Sequence, residues 1–400
     1  MKPRQKGIPS LFILVLMISV GPFGDTIYSP VLPSLQKAFE TSYQNVQLTI
    51  TLYLAGYAVS QILYGPLSDR FGRKKIMIFG AAMFLLGSSI CLWSIDQGIT
   101  SLLVGRFLQG LGVCAGAVIS SSAVRDAFPV AQRGRVFAKM NAAFAAAPGV
   151  GGIVGTYVAW HISFIVLFVL AIVLLLGVIF LFPETLKNTN KTALHPMDLI
   201  KNYLQLFTAK GYWLYVIILG LNMGMIYTCL VEAPALVETT MQLNRQWFIV
   251  IAGGIVLAFI IGSIGCSFLM RKVHYDWILV IGMLIALSAG ISLFIPMLMQ
   301  IFTLWTLLPQ IITLFVGIAF MVPTATAKAL APFELTAGSA SAMMGFTQMG
   351  MASVITGGIT FLPFRNAYIM PLTFISLTLI GLILLLSYIA YHRPKKSHII

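Results

Sequence analysis

Long apolar runs set the strongest limit on how this chain can fold. Each run is about as long as a helix must be, at roughly 20 residues, to cross the ~30 Å hydrocarbon core of a bilayer. Lipid offers the backbone no hydrogen-bond partner, so the runs are expected to be helices. We predict an all-α membrane protein with twelve transmembrane helices, at about 8–28, 45–66, 76–95, 99–123, 136–159, 162–182, 211–235, 246–269, 277–298, 302–327, 337–361 and 367–391.

The composition agrees with a lipid environment. Of the 400 residues, 59% are hydrophobic and 9% are charged, whereas a soluble domain carries about 25% charged residues. The formal net charge of +14 does not indicate nucleic-acid binding, because the basic residues sit in short loops and form no single face or arm. The four cysteines are scattered singly through apolar runs, without metal-ligand spacing, and no nucleotide-binding phosphate loop occurs. We expect neither an enzyme nor a metal or cofactor site.

The distribution of Lys and Arg predicts the orientation. With the N-terminus inside, only Lys37, Arg245 and Arg365 fall in outside loops, and nearly all other basic residues fall in inside loops. Cytoplasmic loops of membrane proteins carry this excess of positive charge. We therefore expect a multi-pass protein of the cytoplasmic (inner) membrane, with both termini in the cytoplasm.

One long polar and basic loop, 183–210, divides the runs six and six. The sequence thus predicts a first six-helix bundle at 1–182, a cytoplasmic linker at 183–210 and a second bundle at 211–400. Repeated halves are a common construction of transporters.

The loop after the second run, "GPLSDRFGRKK" at 65–75, concentrates charge. Asp69 stands four residues before Arg73, so the two can pair in a helical turn. Asp126, at the inner end of the fourth run, is a second possible partner of Arg73. The spacing of Gly65, Asp69, Arg70, Gly72 and Arg73 resembles the signature loop of the major facilitator superfamily.

Three further segments resemble motifs of that superfamily. "GRFLQG" places Arg106, Gln109 and Gly110 in its Arg-x-x-Gln-Gly pattern, and "GDTIYSP" is similar to the Asp-containing first-helix motif of twelve-span drug:proton antiporters. The group that these segments resemble is that of the Bcr/CflA-like multidrug exporters. The fifth run resembles the antiporter motif, with Gly152 where the family has a second proline. The residues of that motif are Pro148, Gly151, Gly152 and Gly155.

The resemblance implies that the signature loop is a latch that closes the inner side against the start of the eleventh helix. We expect its contacts, including those of Arg73, only when the inside is shut. The residues of this latch are Gly65, Asp69, Arg70, Gly72, Arg73 and Asp126. The alternative is that the loop is only a positive-inside topology signal.

Three ionisable residues lie within the runs: Asp25, Arg106 and Glu232. Such residues are usually functional in membrane proteins. At 1.5 Å per residue, Asp25 lies ~25 Å along the first helix and Arg106 ~10 Å below the outer surface, so they can pair. We interpret all three as candidates for proton coupling. A fixed structural ion pair is the alternative for the first two, and a wetted interfacial position, with Pro234 ending the helix, is the alternative for Glu232.

A substrate cavity is predicted at polar and aromatic residues of the runs, although ordinary helix packing would also explain them. They are Tyr28, Tyr53, Tyr57, Asn141, Asn222, Tyr227, Glu232 and Gln348. We expect a monomer in the lipid bilayer that exports small amphipathic or lipophilic compounds in exchange for protons. The alternatives are a dedicated exporter of one metabolite, such as a siderophore, and a non-transporting receptor or scaffold.

Overall fold

The computed structural model describes residues 7–186, 188–190, 194–195, 204–209, 211–299, 301–333, 337–362 and 367–392. These residues contain the twelve long helices that the apolar runs predict. They are α1 (Leu11–Tyr28), α2 (Tyr43–Phe71), α3 (Arg73–Gln97), α4 (Ile99–Ala127), α5 (Val130–Tyr157), α6 (Trp160–Leu181), α7 (Tyr212–Ala235), α8 (Phe248–Leu269), α9 (Tyr275–Leu298), α10 (Leu304–Leu330), α11 (Ala337–Thr360) and α12 (Ile369–His392). Much of the predicted linker, at 187, 191–193, 196–203 and 210, lies outside the described residues.

Local sequence signals explain where several helices begin and end. Ser10 and Ser42 precede α1 and α2, and each side chain accepts a hydrogen bond from a backbone N–H of the first turn. Gly72 separates α2 from α3 with a φ of 101°, a conformation that favours glycine. The signature loop is therefore a sharp corner between two helices.

Two helices are less apolar than the rest. Among the described residues, ten helices are long and apolar enough to cross a membrane, and α5 and α11 are the long helices outside that set. α5 packs on α1 and α8, and α11 packs on α2 and α7. Their sequences explain the difference, because α5 carries Arg133, Arg135 and Lys139 in its first turns and both helices are rich in glycine and alanine.

Buried apolar side chains form two main clusters. One is drawn mostly from α1–α6 and the other from α7–α12. We refer to these helix sets as the N-terminal half and the C-terminal half. In the first, α4 packs on α2 and α3, and in the second, α10 packs on α8 and α9. The same packing pattern thus occurs twice.

The two halves meet mainly through α2 with α11 and α5 with α8. We call the end of the bundle with Gly72 the basic end and the opposite end, where α1 finishes, the far end. Among the described residues, the cross-half hydrogen bonds lie toward the far end, where Thr51 Oγ1 is 3.0 Å from Thr356 Oγ1. The packing of α2 on α11 continues as far as Gln61 and Gly345. At the basic end, residues 130–146 of α5 are exposed or half-exposed on every side apart from Met140. The halves are thus closed at the far end and apart at the basic end.

Candidate functional site

A buried ion pair joins α1 to α4. Asp25 is 6% exposed and Arg106 is 0% exposed, with Arg106 Nη2 3.6 Å from Asp25 Oδ1. The two side chains that were expected to lie at the same depth are therefore together. Burying two charges is favourable only if their surroundings compensate for the lost hydration.

Aromatic rings and an amide surround the Arg106 guanidinium. Its Cζ lies 4.4 Å from the ring centres of both Tyr28 and Tyr53, which places the cation between two π faces. Arg106 Nη1 donates to Gln109 Oε1 at 2.9 Å, and Gln109 Nε2 donates to Ser88 Oγ. All of these partners belong to the N-terminal half, so Arg106 is held within it.

Asp25 also contacts the C-terminal half. Tyr227 Oη, on α7, donates to Asp25 Oδ2 at 2.9 Å. One carboxylate therefore has a cationic partner in its own half and a phenol partner in the other.

Glu232 lies nearby, at the far end of α7. It is 7% exposed and accepts a hydrogen bond from Gln47 Nε2 of α2 at 2.6 Å. Pro234 does not end the helix, because α7 continues to Ala235 and a π-helical turn runs over Leu236–Thr240. Of the two interpretations of Glu232, the wetted interfacial position does not describe this state, since Glu232 is buried between the halves.

The glycines of the fifth-helix motif border the segment that carries Asp25. A Cβ on Gly151 would strike the Thr26 side chain, and one on Gly155 would strike the Ile27 carbonyl oxygen. Gly152 faces the other half, where a Cβ would lie 3.5 Å from that of Ala252. Pro148 lies inside α5, half-buried one turn before these glycines. The motif thus sets how closely α1 approaches α5.

The signature loop forms a compact polar network. Arg73 Nη2 lies 2.6 Å from Asp69 Oδ1, its Nε donates to Asp126 Oδ2 at 2.9 Å, and its Nη1 donates to Ser68 Oγ. The basic end is open, yet these bonds are present, so the expectation that Arg73 makes them only when the inside is shut is wrong. They form within the N-terminal half and are present while the halves are apart at the basic end.

The other loop residues have plainer surroundings. Asp69 keeps 43% of its side chain exposed at the open end. Arg70 is exposed and its guanidinium lies 5.4 Å from the Phe71 ring centre. A Cβ on Gly65 would meet nothing within 4 Å, so helix packing does not require glycine there.

Glu184 is a member of this network that sequence reasoning missed. Its carboxylate accepts from the backbone N–H groups of Arg73 and Lys74, at 3.0 and 3.2 Å, and so caps the first turn of α3. It occupies the space that a Cβ on Gly72 would need. An acidic residue following a helix beside a basic loop was the available signal, but the partners lie more than 100 residues apart.

The predicted cavity residues other than Glu232 do not all lie together. Tyr28 and Tyr53 belong to the cage around Arg106, whereas Tyr57 and Tyr227 lie buried beside Asp25. Asn222 is 1% exposed inside the C-terminal half, among side chains of α7, α9, α10 and α12, and so lies apart from the others. Asn141 is exposed on α5 and Gln348 is half-buried on α11. Within the described residues, no group of His, Cys, Asp and Glu could hold a metal ion.

The fold and this buried site define the class of protein. The family model of the Major Facilitator Superfamily matches residues 14–356. The chain belongs to this superfamily and is a multi-pass membrane protein and secondary transporter.

Similar chains are known in bacteria. The chain is 26% identical to Multidrug resistance protein D of Escherichia coli (strain K12), over 99% of this chain and 98% of the relative. It is also 26% identical to a Bicyclomycin resistance protein homolog of Haemophilus influenzae, over 86% of this chain and 88% of the relative. The inward open conformation of the xylose transporter XylE from E. coli superposes with a TM-score of 0.73 at 13% identity, over 97% of each chain. That similarity shows a shared fold.

Proposed function

We propose that this transporter exports small amphipathic or lipophilic compounds, drugs among them, in exchange for protons. The observation that carries the proposal is the environment of Asp25. This buried carboxylate lies 3.6 Å from a caged arginine and 2.9 Å from a tyrosine of the other half. A carboxylate that loses and regains a partner with conformation can take up and release a proton in each cycle.

The names of the relatives support export of drugs. One is a multidrug resistance protein and another a bicyclomycin resistance protein homolog. We propose that the chain is one of the Bcr/CflA-like exporters, which these names and the first-helix and fifth-helix motifs support. The Gly152 departure from the antiporter motif is compatible with this group, because that glycine faces α8 and leaves the α1–α5 contact intact.

We propose that the basic end faces the cytoplasm. Lys37 and Arg245 belong to segments at the far end, whereas Arg70, Arg73 and Arg133 belong to the basic end. The positive-inside rule then puts the open side in the cytoplasm. The proposed units are the N-terminal bundle 1–182, the linker 183–210 and the C-terminal bundle 211–400.

We propose that substrate enters at the basic end, between the halves. Asn141 and Gln348 lie on the two helices beside this opening, α5 and α11, and Tyr57 and Tyr227 lie deeper, near Asp25. Glu232 would meet the substrate once the far end opens. In the same scheme, the exposed Asp69 reaches α11 when the basic end closes, and the Arg73–Asp126 pair keeps the loop rigid for that contact.

The test is transport by purified protein in liposomes with an imposed pH gradient and a panel of cationic, neutral and anionic compounds. Asp25→Asn should abolish gradient-driven accumulation, because an amide does not exchange a proton, and substrate binding should survive. Asp96→Asn is the matched control, because Asp96 is exposed at the end of α3.

Three other outcomes would contradict the proposal. Undiminished active transport by Asp25→Asn would remove this residue from the coupling mechanism. Transport confined to one compound of the panel would favour a dedicated metabolite exporter. Binding without any flux by the wild-type protein would favour a receptor.

A further inference from the structure

The carboxylate of Asp25 takes part both in the ion pair with Arg106 and in a contact that closes the far end. Its Oδ1 faces Arg106, and its Oδ2 accepts from Tyr227 Oη at 2.9 Å. Asp25 and Tyr227 are 6% and 9% exposed, so water competes little for this hydrogen bond. The bond crosses between halves, from α7 to α1.

The two partners of Asp25 respond differently to movement between the halves. Arg106 is fixed by the rings of Tyr28 and Tyr53 and by Gln109, all within the N-terminal half. Rotation of one half against the other leaves Arg106 beside Asp25. The Tyr227 bond, by contrast, must break when the far end opens.

The strength of the Tyr227 bond depends on the charge of Asp25. A hydrogen bond to an ionised acceptor is roughly twice as strong as one between neutral groups. The other titratable groups facing Asp25 are Tyr53 and Tyr57 of α2 and Arg106 of α4. Arg106 alone among these facing groups is charged at neutral pH, so protonation of Asp25 is the event that weakens the cross-half bond.

We propose that the Tyr227–Asp25 hydrogen bond holds the far end closed while the carrier is empty and Asp25 is ionised. A proton on Asp25, or a substrate beside Tyr227, loosens it. The inference rests on the proposed proton exchange and names the contact that ties proton entry to substrate export.

Loss of this contact has a definite consequence for proton flow. A protonated carrier would turn inward and release its proton, and the empty carrier would then return without substrate. Each such cycle moves one proton down its gradient and exports nothing. In the wild-type protein, the Tyr227–Asp25 bond blocks the empty return, so proton entry is tied to export.

Tyr227→Phe tests this proposal, because it keeps the ring and removes the hydroxyl. The measurement is decay of an imposed pH gradient without substrate, followed by a pH-sensitive dye inside the liposomes. We expect the substrate-independent decay to become about tenfold faster, as for the loss of one hydrogen bond to a charged group. Tyr215→Phe is the matched control: it lies on the same helix, and its hydroxyl bonds Asp276 Oδ1 at 2.8 Å within the C-terminal half.

A second variant shows whether any leak passes through the carboxylate. Asp25→Asn combined with Tyr227→Phe should return the decay to the wild-type rate, because no proton is carried. A persistent leak in the double variant, or an equal leak in Tyr215→Phe, would overturn the inference.

Distances between spin labels at Lys37 and Asn244, which are exposed at the far end on the two halves, give an independent readout. Tyr227→Phe should add longer distances in substrate-free protein at high pH. Coupled wild-type transport together with an unchanged leak and unchanged distances in Tyr227→Phe would overturn this inference alone. Wild-type protein that moves no proton with substrate would overturn the proposed function as well.

Discussion

At the junction of the halves, Asp25 has one partner in its own half, Arg106, and one in the other half, Tyr227. The Arg106 cage lies wholly within the N-terminal half, whereas Tyr227 and Gln47 bond carboxylates across the junction. Helix rise was sufficient to bring Asp25 and Arg106 to the same depth from sequence alone. The choice of Tyr227 as a partner was not predictable in this way, because it depends on how α7 docks against α1.

Glu232 gives a prediction about charge selectivity. It is buried beside Gln47 while the far end is closed, and opening of that end would expose it to departing substrate. Near a protein surface a carboxylate attracts a cation at 4 Å by about 1–4 kcal/mol, and it offers a neutral compound nothing comparable. Glu232→Gln, which can still accept the Gln47 bond, should therefore lower transport of a lipophilic cation about tenfold more than that of a neutral compound, if the charge supplies ~1.4 kcal/mol.

Transport of one cation and one neutral compound by the same purified variant checks this expectation. Glu232→Asp should restore part of the cation transport, because it restores the charge. Equal loss for both compounds would show that Glu232 does not select by charge.

At the scale of helices, the lengths of the apolar runs correctly predicted how many long helices there are and where each lies along the chain. All twelve predicted runs correspond to helices, but their ends differ where polar residues extend a helix beyond the lipid-like run. α5 begins at Val130, directly after Pro129, whereas the predicted start was near 136. The apolar run missed the first turns because they carry Arg133 and Arg135. A proline at the start of a helix is a signal that would have included them.

Neighbouring glycines of α5 give a matched pair of variants. Alanine at Gly155 would push its Cβ into the Ile27 carbonyl, a backbone atom that cannot rotate away. Overpacking of this kind costs about 1–3 kcal/mol. Alanine at Gly152 would meet only the Ala252 Cβ, at 3.5 Å, which is an ordinary contact. Gly155→Ala should therefore lower the thermal stability of the detergent-solubilised protein, and Gly152→Ala should leave it nearly unchanged.

Melting curves of the two variants, recorded side by side with the wild type, measure the difference. Identical melting of Gly155→Ala and the wild type would show that α1 and α5 can separate without cost. The close approach of these helices would then have no role in holding the Asp25 segment in place.

At the scale of the molecule, the described state is closed at the far end and open at the basic end. The sequence predicted a latch in which Arg73 bonds its acidic partners only when the inside is shut. The bonds of Arg73 to Asp69 and Asp126 are nevertheless present in the state that is open at the basic end. The reason is that both acidic residues belong to the same half as Arg73. A contact from Asp69 to the other half would report closure, and 43% of the Asp69 side chain is exposed.

Asp69→Asn should therefore shift the molecule toward the state that is open at the basic end. The amide removes the charge that would meet the N-terminal end of α11, an interaction typically of 0.3–1 kcal/mol, which is about a twofold to fivefold change in population. Arg73 keeps its bonds to Asp126 and Ser68, so the variant should fold normally.

The readout is the alkylation rate of a cysteine introduced at the exposed Asn141. The four native cysteines are all buried, so the introduced thiol reacts first. Faster alkylation with Asp69→Asn than with the Asp96→Asn control is the expected result. Equal rates at equal expression would leave this loop with its topological role alone, and closure of the basic end would then depend on the packing of α11 against α2.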